Sequence, residues 1–428
     1  MERTEKRKSP YTGLILLCWL VYACSYIGKL NYAANINQIM EFYDVNHADA
    51  GSVSTCFFFA YAIGQFVNGA FSKKYNVRWV VTAALLVSGG VNLTIAITDY
   101  FPIIKYLWFI NGFALSVLWP TLIRLLSETV ARKEMPCASV VMGTTVATGT
   151  VFIYALSALF APINFKLAFY TAATILPVIA VIWIALFKSV IGKAKAFEAL
   201  DDEKEKTEEN ISERIPATPV SVKTKKKVSF DLMLMIVLLA IFAVGVNLIA
   251  DGLTTWVPSI LKESFGFDDS LSIILTLTLP ILAVFANFFA VSVHKKIPDF
   301  VSQAALMFGG SGLLILLIIG MFTVRQAVVT IVCFALVRAL IGSVNSLITS
   351  IFPLFMKGKV NSGMIAGVLN GFCYVGSTAS SYGLGLVADH HGWTAVFWLL
   401  FAVCALVCVL WIVYVAIKKY KAEKQSKA

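Results

Sequence analysis

Charge is scarce in this chain of 428 residues. Asp, Glu, Lys and Arg together make up 14% of it, while hydrophobic residues make up 59%. Soluble domains carry about 25% charged residues, so this composition excludes an ordinary water-soluble protein. The apolar residues form runs of about 20 or more, the length at which an α-helix crosses a bilayer. No alternating ten-residue strand pattern accompanies them. The sequence therefore predicts an all-α polytopic membrane protein.

Residues with catalytic or metal-binding chemistry are few as well. There are four histidines and eight cysteines, and the cysteines lie mostly inside apolar segments with no C-x-x-C pair or zinc spacing. No Walker A motif, Ser/His/Asp set or metal-ligand cluster is present, which argues against an ATP-driven pump or a membrane enzyme. We expect no cofactor and no metal. The net charge of +11 does not indicate a nucleic-acid partner, because most Lys and Arg lie in short loops between apolar runs.

Hydropathy predicts twelve spans in two groups of six. Their approximate bounds are 11–40, 48–72, 79–98, 103–130, 137–161, 166–188, 230–260, 268–294, 299–322, 326–356, 360–387 and 391–417. One hydrophilic stretch, 189–229, separates the two groups, and its charged, Pro-containing composition cannot bury a core. The predicted units are a six-helix half (1–188), a linker (189–229), a second six-helix half (230–417) and a tail (418–428).

The distribution of positive charge predicts the orientation. When residues at the span ends are counted with the adjoining loops, the N-terminus, the even-numbered loops, the linker and the tail hold 28 of the 35 Lys and Arg residues, and the opposite loops hold four. By the positive-inside rule, both termini and the linker are cytoplasmic. We expect a monomeric multi-pass protein of the plasma membrane.

The remaining charges lie within spans. Lys29, Arg124, Asp251 and Arg338 fall on the first, fourth, seventh and tenth spans. A charge at the bilayer centre costs at least ~2.5–3.5 kcal/mol and usually marks a substrate or ion path. The alternative is a lysine neutralised by a buried acid that serves only packing. Two six-helix halves joined by a cytoplasmic loop resemble the major facilitator architecture, in which these four spans line a central cavity.

Polar side chains at helical spacing extend this set. The predicted substrate contacts are Lys29, Arg338, Tyr32, Gln65, Asn345, Asn370 and Tyr374. Asp251 is the predicted coupling residue, and Arg124 with Glu128, four residues on, is a predicted gating ion pair. The competing interpretation of polar stripes in spans is interhelical hydrogen bonding. We prefer that interpretation for Tyr61, Asn68, Ser377 and Ser381.

Three stretches resemble the organophosphate:phosphate antiporters, the branch of the major facilitator superfamily that includes the glycerol-phosphate and hexose-phosphate transporters. Tyr26 to Ala33 resembles the family's Y-x-x-R-K-N-F-A, with Lys29 where a phosphate-binding arginine stands. Trp119 to Arg124 matches W-P-x-x-x-R, and Asp389 to Trp393 follows D-x-x-G-W. The resemblance implies a twelve-helix fold and exchange of a phosphorylated substrate for phosphate.

Departures from the family pattern place that substrate in question. The second phosphate-binding arginine aligns with Ala250, and the next residue is Asp251, of opposite sign. The histidine of the fifth span is absent, and the loop after the second span has Lys73 in place of an aspartate.

We therefore expect a secondary transporter of a small organic anion, a phosphorylated sugar or a carboxylate, working by alternating access. Lys29 and Arg338 would neutralise the anion while Asp251 competes for them, and a proton or phosphate would be the counter-substrate. One alternative is proton-coupled efflux of amphipathic or cationic compounds that bind Asp251. The other is a non-transporting membrane sensor that signals through the linker.

Overall fold

The computed structural model describes residues 11–71, 74–131, 134–212, 230–356 and 362–426, and this part of the chain is almost entirely helical. Residues 1–10, Lys73 and 213–229, on which several predictions fall, lie outside the described residues. Apolar side chains dominate the described segments, because only internally hydrogen-bonded helices can place such chains in hydrocarbon.

The described residues of the first half form ten helices. They are α1 (Thr12–Ser25), α2 (Ile27–Ala34), α3 (Ile36–Tyr43), α4 (His47–Phe71), α5 (Val77–Ile97), α6 (Phe101–Leu115), α7 (Leu118–Thr129), α8 (Met135–Gly143), α9 (Thr145–Phe160) and α10 (Lys166–Ser212). The first predicted span is therefore three helices, α1 to α3, and the fourth and fifth spans are two each. Helix α10 continues to Ser212, well beyond residue 188, where the sequence predicts the sixth span to end.

The second half follows the same pattern. Its helices are α11 (Phe230–Phe265), α12 (Asp269–Thr276), α13 (Thr278–Ala283), α14 (Ala286–His294), α15 (Phe300–Thr323), α16 (Ala327–Ser346), α17 (Phe352–Phe355) and α18 (Ser362–Ser426). A π-helix, Leu347–Ile351, joins α16 to α17 in the tenth span. Single π turns inside helices often occur at functional sites.

Eleven helical stretches of the described residues are long and apolar enough to cross a membrane. The last of them belongs to α18, whose 65 residues are interrupted at Gly392, where φ is +75°. A helix of that length would extend roughly 98 Å, about three times the ~30 Å hydrocarbon core. The two arms of α18 correspond to the predicted eleventh and twelfth spans. The count of twelve stays a prediction.

The two faces of the bundle follow from these helices. Asp231 at the start of α11 pairs with Lys421 near the end of α18, and Asp299 pairs with Lys418, so these ends lie together. We call this side the terminal face. The side that holds the start of α4 and Gly392 we call the opposite face. The cytoplasmic location of the terminal face stays a prediction.

Candidate functional site

Lys29 lies between two irregularities in the first span. Helix α1 ends at Ser25 and α2 begins at Ile27, although Tyr26 between them keeps helical φ and ψ of −67° and −23°. The backbone leaves the helical region at Asn35, after α2, where φ is −111° and ψ is 23°. Lys29 and Asp251 lie at matching depth, because each is 14 residues from the last residue of its span, Tyr43 or Phe265, at the opposite face.

Buried asparagines hold this part of the first span in place. The Asn111 side-chain amide donates to the Gly28 backbone oxygen at 2.7 Å, and the Asn31 amide donates to Asn92 Oδ1 at 2.7 Å. Gly28 allows the close approach, since a Cβ at this position would be 2.7 Å from Leu176 Cδ1. Because these amides are fully buried, their hydrogen bonds fix α2 against α5 and α6 and thereby position the lysine.

Aromatic rings surround the Lys29 ammonium. Its Nζ lies 4.5 Å from the ring centroid of Tyr61, 5.1 Å from that of Tyr26, 5.8 Å from that of Phe57 and 5.9 Å from that of Tyr374. A cation within about 6 Å of a ring face is attracted by the ring quadrupole. These rings come from both halves of the bundle, so they hold the charge at the interface between the halves.

A small central cavity, with a volume of about 20 Å³, adjoins the lysine. Its lining comes from both halves: Lys29, Leu30, Ala33, Ser54, Phe57, Phe58, Trp108, Asp251, Thr254 and Thr255. A volume of this size holds about one water molecule. The structure therefore brings the predicted lysine, the predicted aspartate and two threonines of the seventh span together around a nearly closed space.

Asp251 faces Ser377 of α18. The Ser377 hydroxyl donates to Asp251 Oδ2 at 2.5 Å and accepts from the Asn247 amide at 3.0 Å. Lys29 and Asp251 line the same cavity, yet no ion pair within 4.0 Å joins them in the described chain. Ser377, whose predicted role is structural, thus fixes the orientation of the Asp251 carboxylate.

Arg338 adds a second cation. It lies half-buried on α16, its charge interacts electrostatically with Asp251 and Tyr26, and no side-chain hydrogen bond of the guanidinium is found within the described segments. Gly342, one turn on, leaves room for it, because a Cβ there would be 3.1 Å from Arg338 Nη1. Ala250, which aligns with the family's second arginine, is 2% exposed. The second positive charge near Asp251 therefore comes from the tenth span.

Two predicted contacts are used elsewhere. Tyr32 does not line the cavity, because its hydroxyl donates to the Ala50 backbone oxygen at 3.0 Å and its ring packs on Trp108. The Gln65 amide donates to the Ser116 backbone oxygen at 3.0 Å, and the Asn68 amide donates to the Ser116 hydroxyl at 2.9 Å. The interhelical interpretation accounts for both placements.

Three further predicted residues lie around the interface. Tyr374 packs against Tyr61 with the ring planes tilted by 41° and the centroids 4.8 Å apart, and so forms part of the ring set around Lys29. Asn370 is half-buried one turn earlier on α18. Asn345 Oδ1 lies 3.4 Å from Thr349 Oγ1, at the start of the π-helix.

The predicted pair of Arg124 and Glu128 is present within α7. Arg124 Nε lies 3.6 Å from Glu128 Oε1, and its Nη2 donates to the Tyr75 backbone oxygen at 3.5 Å. Both partners belong to the first half, and the gating role stays a prediction.

Polar contacts between the halves concentrate towards the opposite face. Among the described residues, hydrogen bonds join α3, α4 and α9 to α11, α12 and α18, and the more interior of them include Tyr154 to the Thr254 backbone oxygen, beside the cavity, and Tyr61 to Tyr374. Lys262 of α11 contacts both Glu41 and Asp269. These contacts close the bundle on the opposite side of the cavity.

The sequence matches the family model of the Major Facilitator Superfamily over residues 18–381. The chain belongs to this superfamily. Its fold agrees, since it superposes on a bacterial homolog of the human lysosomal transporter Spinster, in an inward-facing and occupied conformation, with a TM-score of 0.74 at 11% identity. That alignment covers 96% of this chain and 98% of the other. A D-xylose-proton symporter gives a TM-score of 0.71 at 10% identity, over 94% and 98% of the two chains.

Curated relatives within the superfamily match over shorter stretches. The membrane sensor protein UhpC of Escherichia coli is 26% identical over 28% of each chain. A probable hexose phosphate transport protein of Chlamydia trachomatis is 23% identical over 27% of this chain and 25% of its own. The human glucose-6-phosphate exchanger SLC37A2 is 27% identical over 28% and 30%. The matches thus span less than a third of these relatives.

Two groups of residues that matter in this superfamily member were not predicted from the sequence. Asn92 and Asn111 give no signal beyond being single amides in apolar runs, and their partners, Asn31 and the Gly28 backbone oxygen, belong to another span. His47, at the start of α4, lies between two carboxylates of the second half. Only the D-x-x-G-W resemblance, which contains Asp389, pointed to that region.

Proposed function

We propose that this protein is a secondary transporter of a small organic anion that works by alternating access around the central cavity. The observation that carries the proposal is Lys29, a cation deep in the membrane that faces aromatic rings and forms no ion pair within 4.0 Å in the described part of the chain, although Asp251 acts on it from a distance. A charge at this depth without a direct partner is costly, and a bound anion would offset that cost.

The local balance of charge favours an anion over a cation. Lys29 and Arg338 contribute two positive charges, whereas Asp251 contributes one negative charge that is already hydrogen-bonded to Ser377. A cationic substrate would meet net repulsion. Efflux of cationic compounds is therefore the weaker alternative.

A phosphorylated sugar is the narrower substrate class we propose. The names of the Chlamydia and human relatives refer to hexose phosphate and glucose 6-phosphate. An arginine fork and a lysine suit phosphate oxygens, and the rings of Tyr26, Tyr61 and Tyr374 offer apolar faces for a sugar ring. A carboxylate would satisfy the same cations. Phosphate or a proton would complete the exchange.

Ligand-induced stabilisation tests the substrate class. Purified protein is heated with glucose 6-phosphate, glucuronate, succinate or tetraphenylphosphonium. A ligand that binds only the folded state at one hundred times its Kd adds about 2.7 kcal/mol to the free energy of unfolding. We expect stabilisation by at least one anion and loss of that effect in Lys29→Ala and Arg338→Gln. Lys105→Gln, which alters a cation paired with Asp49 at the opposite face, is the matched control.

Stabilisation by tetraphenylphosphonium alone would contradict the anion proposal. Uptake of the stabilising anion into proteoliposomes then separates transport from sensing. UhpC is named as a membrane sensor protein. Binding without uptake, in either direction of the gradient, would favour a sensor.

A further inference from the structure

A histidine from the first half is held between two carboxylates of the second half at the opposite face. His47 Nδ1 lies 2.6 Å from Asp389 Oδ1, and His47 Nε2 lies 2.7 Å from Glu263 Oε1. The Trp393 indole donates to the other Glu263 oxygen at 2.8 Å. We call His47, Glu263, Asp389 and Trp393 the interhalf cluster. It lies apart from the central cavity and joins α4 to α11 and α18.

Both ring nitrogens of His47 face an acceptor. An ionised carboxylate only accepts hydrogen bonds, and a neutral imidazole has only one N–H donor. Both hydrogen bonds of His47 can therefore form only when the cluster carries one extra proton, beyond the single N–H of a neutral imidazole between two ionised carboxylates. Without that proton, one nitrogen lone pair faces a carboxylate oxygen and one of the two bonds between the halves is lost.

The two acids are the charged neighbours of His47 in the described structure. Among the described residues, the charged groups that act on His47 are Glu263 from α11 and Asp389 from α18. The other groups packed on the ring are the indoles of Trp256 and Trp393, with centroids 5.5 and 5.2 Å away. The His47 side chain is 19% exposed, so protons can reach it while its partners remain ordered.

Asp389 ties the protonated ring to the backbone of the first half. Its carboxylate accepts from the backbone N–H groups of His47 at 3.1 Å and Ala48 at 2.7 Å, the first two residues of α4. The cluster thus joins a helix N-terminus of one half to the ends of two helices of the other, which is where the halves must part when the opposite face opens.

We propose that the interhalf cluster is a proton-operated latch: a proton held on His47 keeps the opposite face closed, and its loss allows that face to open. The latch goes beyond the proposed function, because it acts on the conformational equilibrium without contacting the transported ligand. Acidity on the opposite side then favours the closed arrangement described here. Histidine is suited to this role because its charge changes between pH 5 and 8.

Thiol labelling without any substrate tests the latch. Ser54 lines the central cavity, so Ser54→Cys reports access to it. Sealed vesicles receive a membrane-impermeant thiol reagent on the opposite-face side, and the labelling of the parent chain, with its own cysteines, is subtracted. We expect labelling to be about tenfold faster at pH 8.5 than at pH 5.5, the change that corresponds to losing one charge-assisted hydrogen bond.

Two substitutions predict opposite outcomes. His47→Gln cannot bridge both carboxylates, so labelling should be fast at both pH values. Glu263→Gln supplies an amide N–H to the unprotonated ring, so labelling should be slow at both. His391→Gln, which alters a histidine two residues after Asp389, should keep the pH response of the parent.

Three results would overturn the proposal: a parent rate that does not change with pH, a pH response that persists in His47→Gln, or fast labelling of Glu263→Gln at pH 8.5. If His47→Gln fails to fold, Glu263→Gln still tests the latch. A hydrogen bond with only a structural role would not make labelling of this variant independent of pH.

Discussion

At the scale of single residues, the central cavity holds its positive and negative charges apart. Lys29 is surrounded by rings and Asp251 is bonded to Ser377 at 2.5 Å, although both line the same small space. The lysine is thus available to a ligand without first leaving an internal partner. The competition of Asp251 with the anion for Lys29 stays a prediction.

A double-mutant cycle measures how often Lys29 and Asp251 pair directly. We compare the free energies of unfolding of Lys29→Ala, Asp251→Asn and the double variant. If the arrangement described here dominates, their coupling should stay below about 1.5 kcal/mol, because the charges interact only at a distance. Breaking a direct buried pair would cost about 3–5 kcal/mol. A coupling in that range would show that the populated state differs from this one.

The ring contacts of Lys29 give a second residue-scale prediction. Tyr61→Phe keeps the ring 4.5 Å from Nζ and loses only the hydroxyl that hydrogen-bonds to Tyr374, about 0.5–1.5 kcal/mol, whereas Tyr61→Leu removes the ring as well. Cation–π contacts contribute about 0.5–2 kcal/mol, so Tyr61→Leu should lower the free energy of unfolding by about that amount in addition to any packing loss. Repeating both changes in Lys29→Ala isolates the cation, and equal effects in the two backgrounds would refute the contact.

At the scale of elements, α18 packs against both halves of the bundle. Its first arm packs against α4 of the other half and α11 of its own, and glycines permit the approach. A Cβ on Gly376 would lie 2.0 Å from the Val244 backbone oxygen, and one on Gly371 would lie 2.4 Å from the Phe66 ring. The backbone atom cannot yield as a side chain can, so the contact at Gly376 is the more rigid of the two.

Alanine substitutions on this one helix test the close packing. Gly376→Ala should force α18 and α11 apart and destabilise the protein by about 1–3 kcal/mol, as overpacking does. Gly383→Ala, seven residues on, meets nothing within 4 Å and should be neutral or stabilising by up to about 1 kcal/mol. Thermal unfolding in detergent measures both. Equal changes in stability for Gly376→Ala and Gly383→Ala would mean that α18 and α11 are packed less closely at Gly376 than described here.

Much of this arrangement was accessible to prediction, and the inaccessible part has a physical cause. The spans, Lys29 and Asp251 stand out in the sequence because hydrocarbon penalises polar groups and so leaves a strong local signal. Tyr32 and Gln65 carry the same signal, yet their partners are backbone oxygens of Ala50 and Ser116, which no side-chain pattern identifies. His47 was missed because loop histidines are common and its acids lie more than 200 residues away in the sequence.

At the scale of the whole molecule, ion pairs join the halves at the opposite face. Lys262 holds Glu41 of the first half and Asp269 of the second, in addition to the interhalf cluster. Lys262→Gln should weaken closure by removing both ion pairs. We expect faster labelling of Ser54→Cys from the opposite face at every pH, with the pH response intact. Unchanged labelling would mean that the other contacts between the halves, and not Lys262, keep the opposite face closed.

The two carboxylate bonds to the first turn of α4 have a consequence for the exchange of backbone protons. Side chains that bond the first amides of a helix contribute about 0.5–2 kcal/mol, and here the side chain is Asp389 of the other half. Whenever the halves separate at the opposite face, the amides of His47 and Ala48 lose that partner and meet water. Asp49 keeps its bond to the Asn46 side chain in the same loop. The deuterium uptake of Ala48, compared with that of Asp49, therefore counts the openings of the opposite face in the unmodified protein.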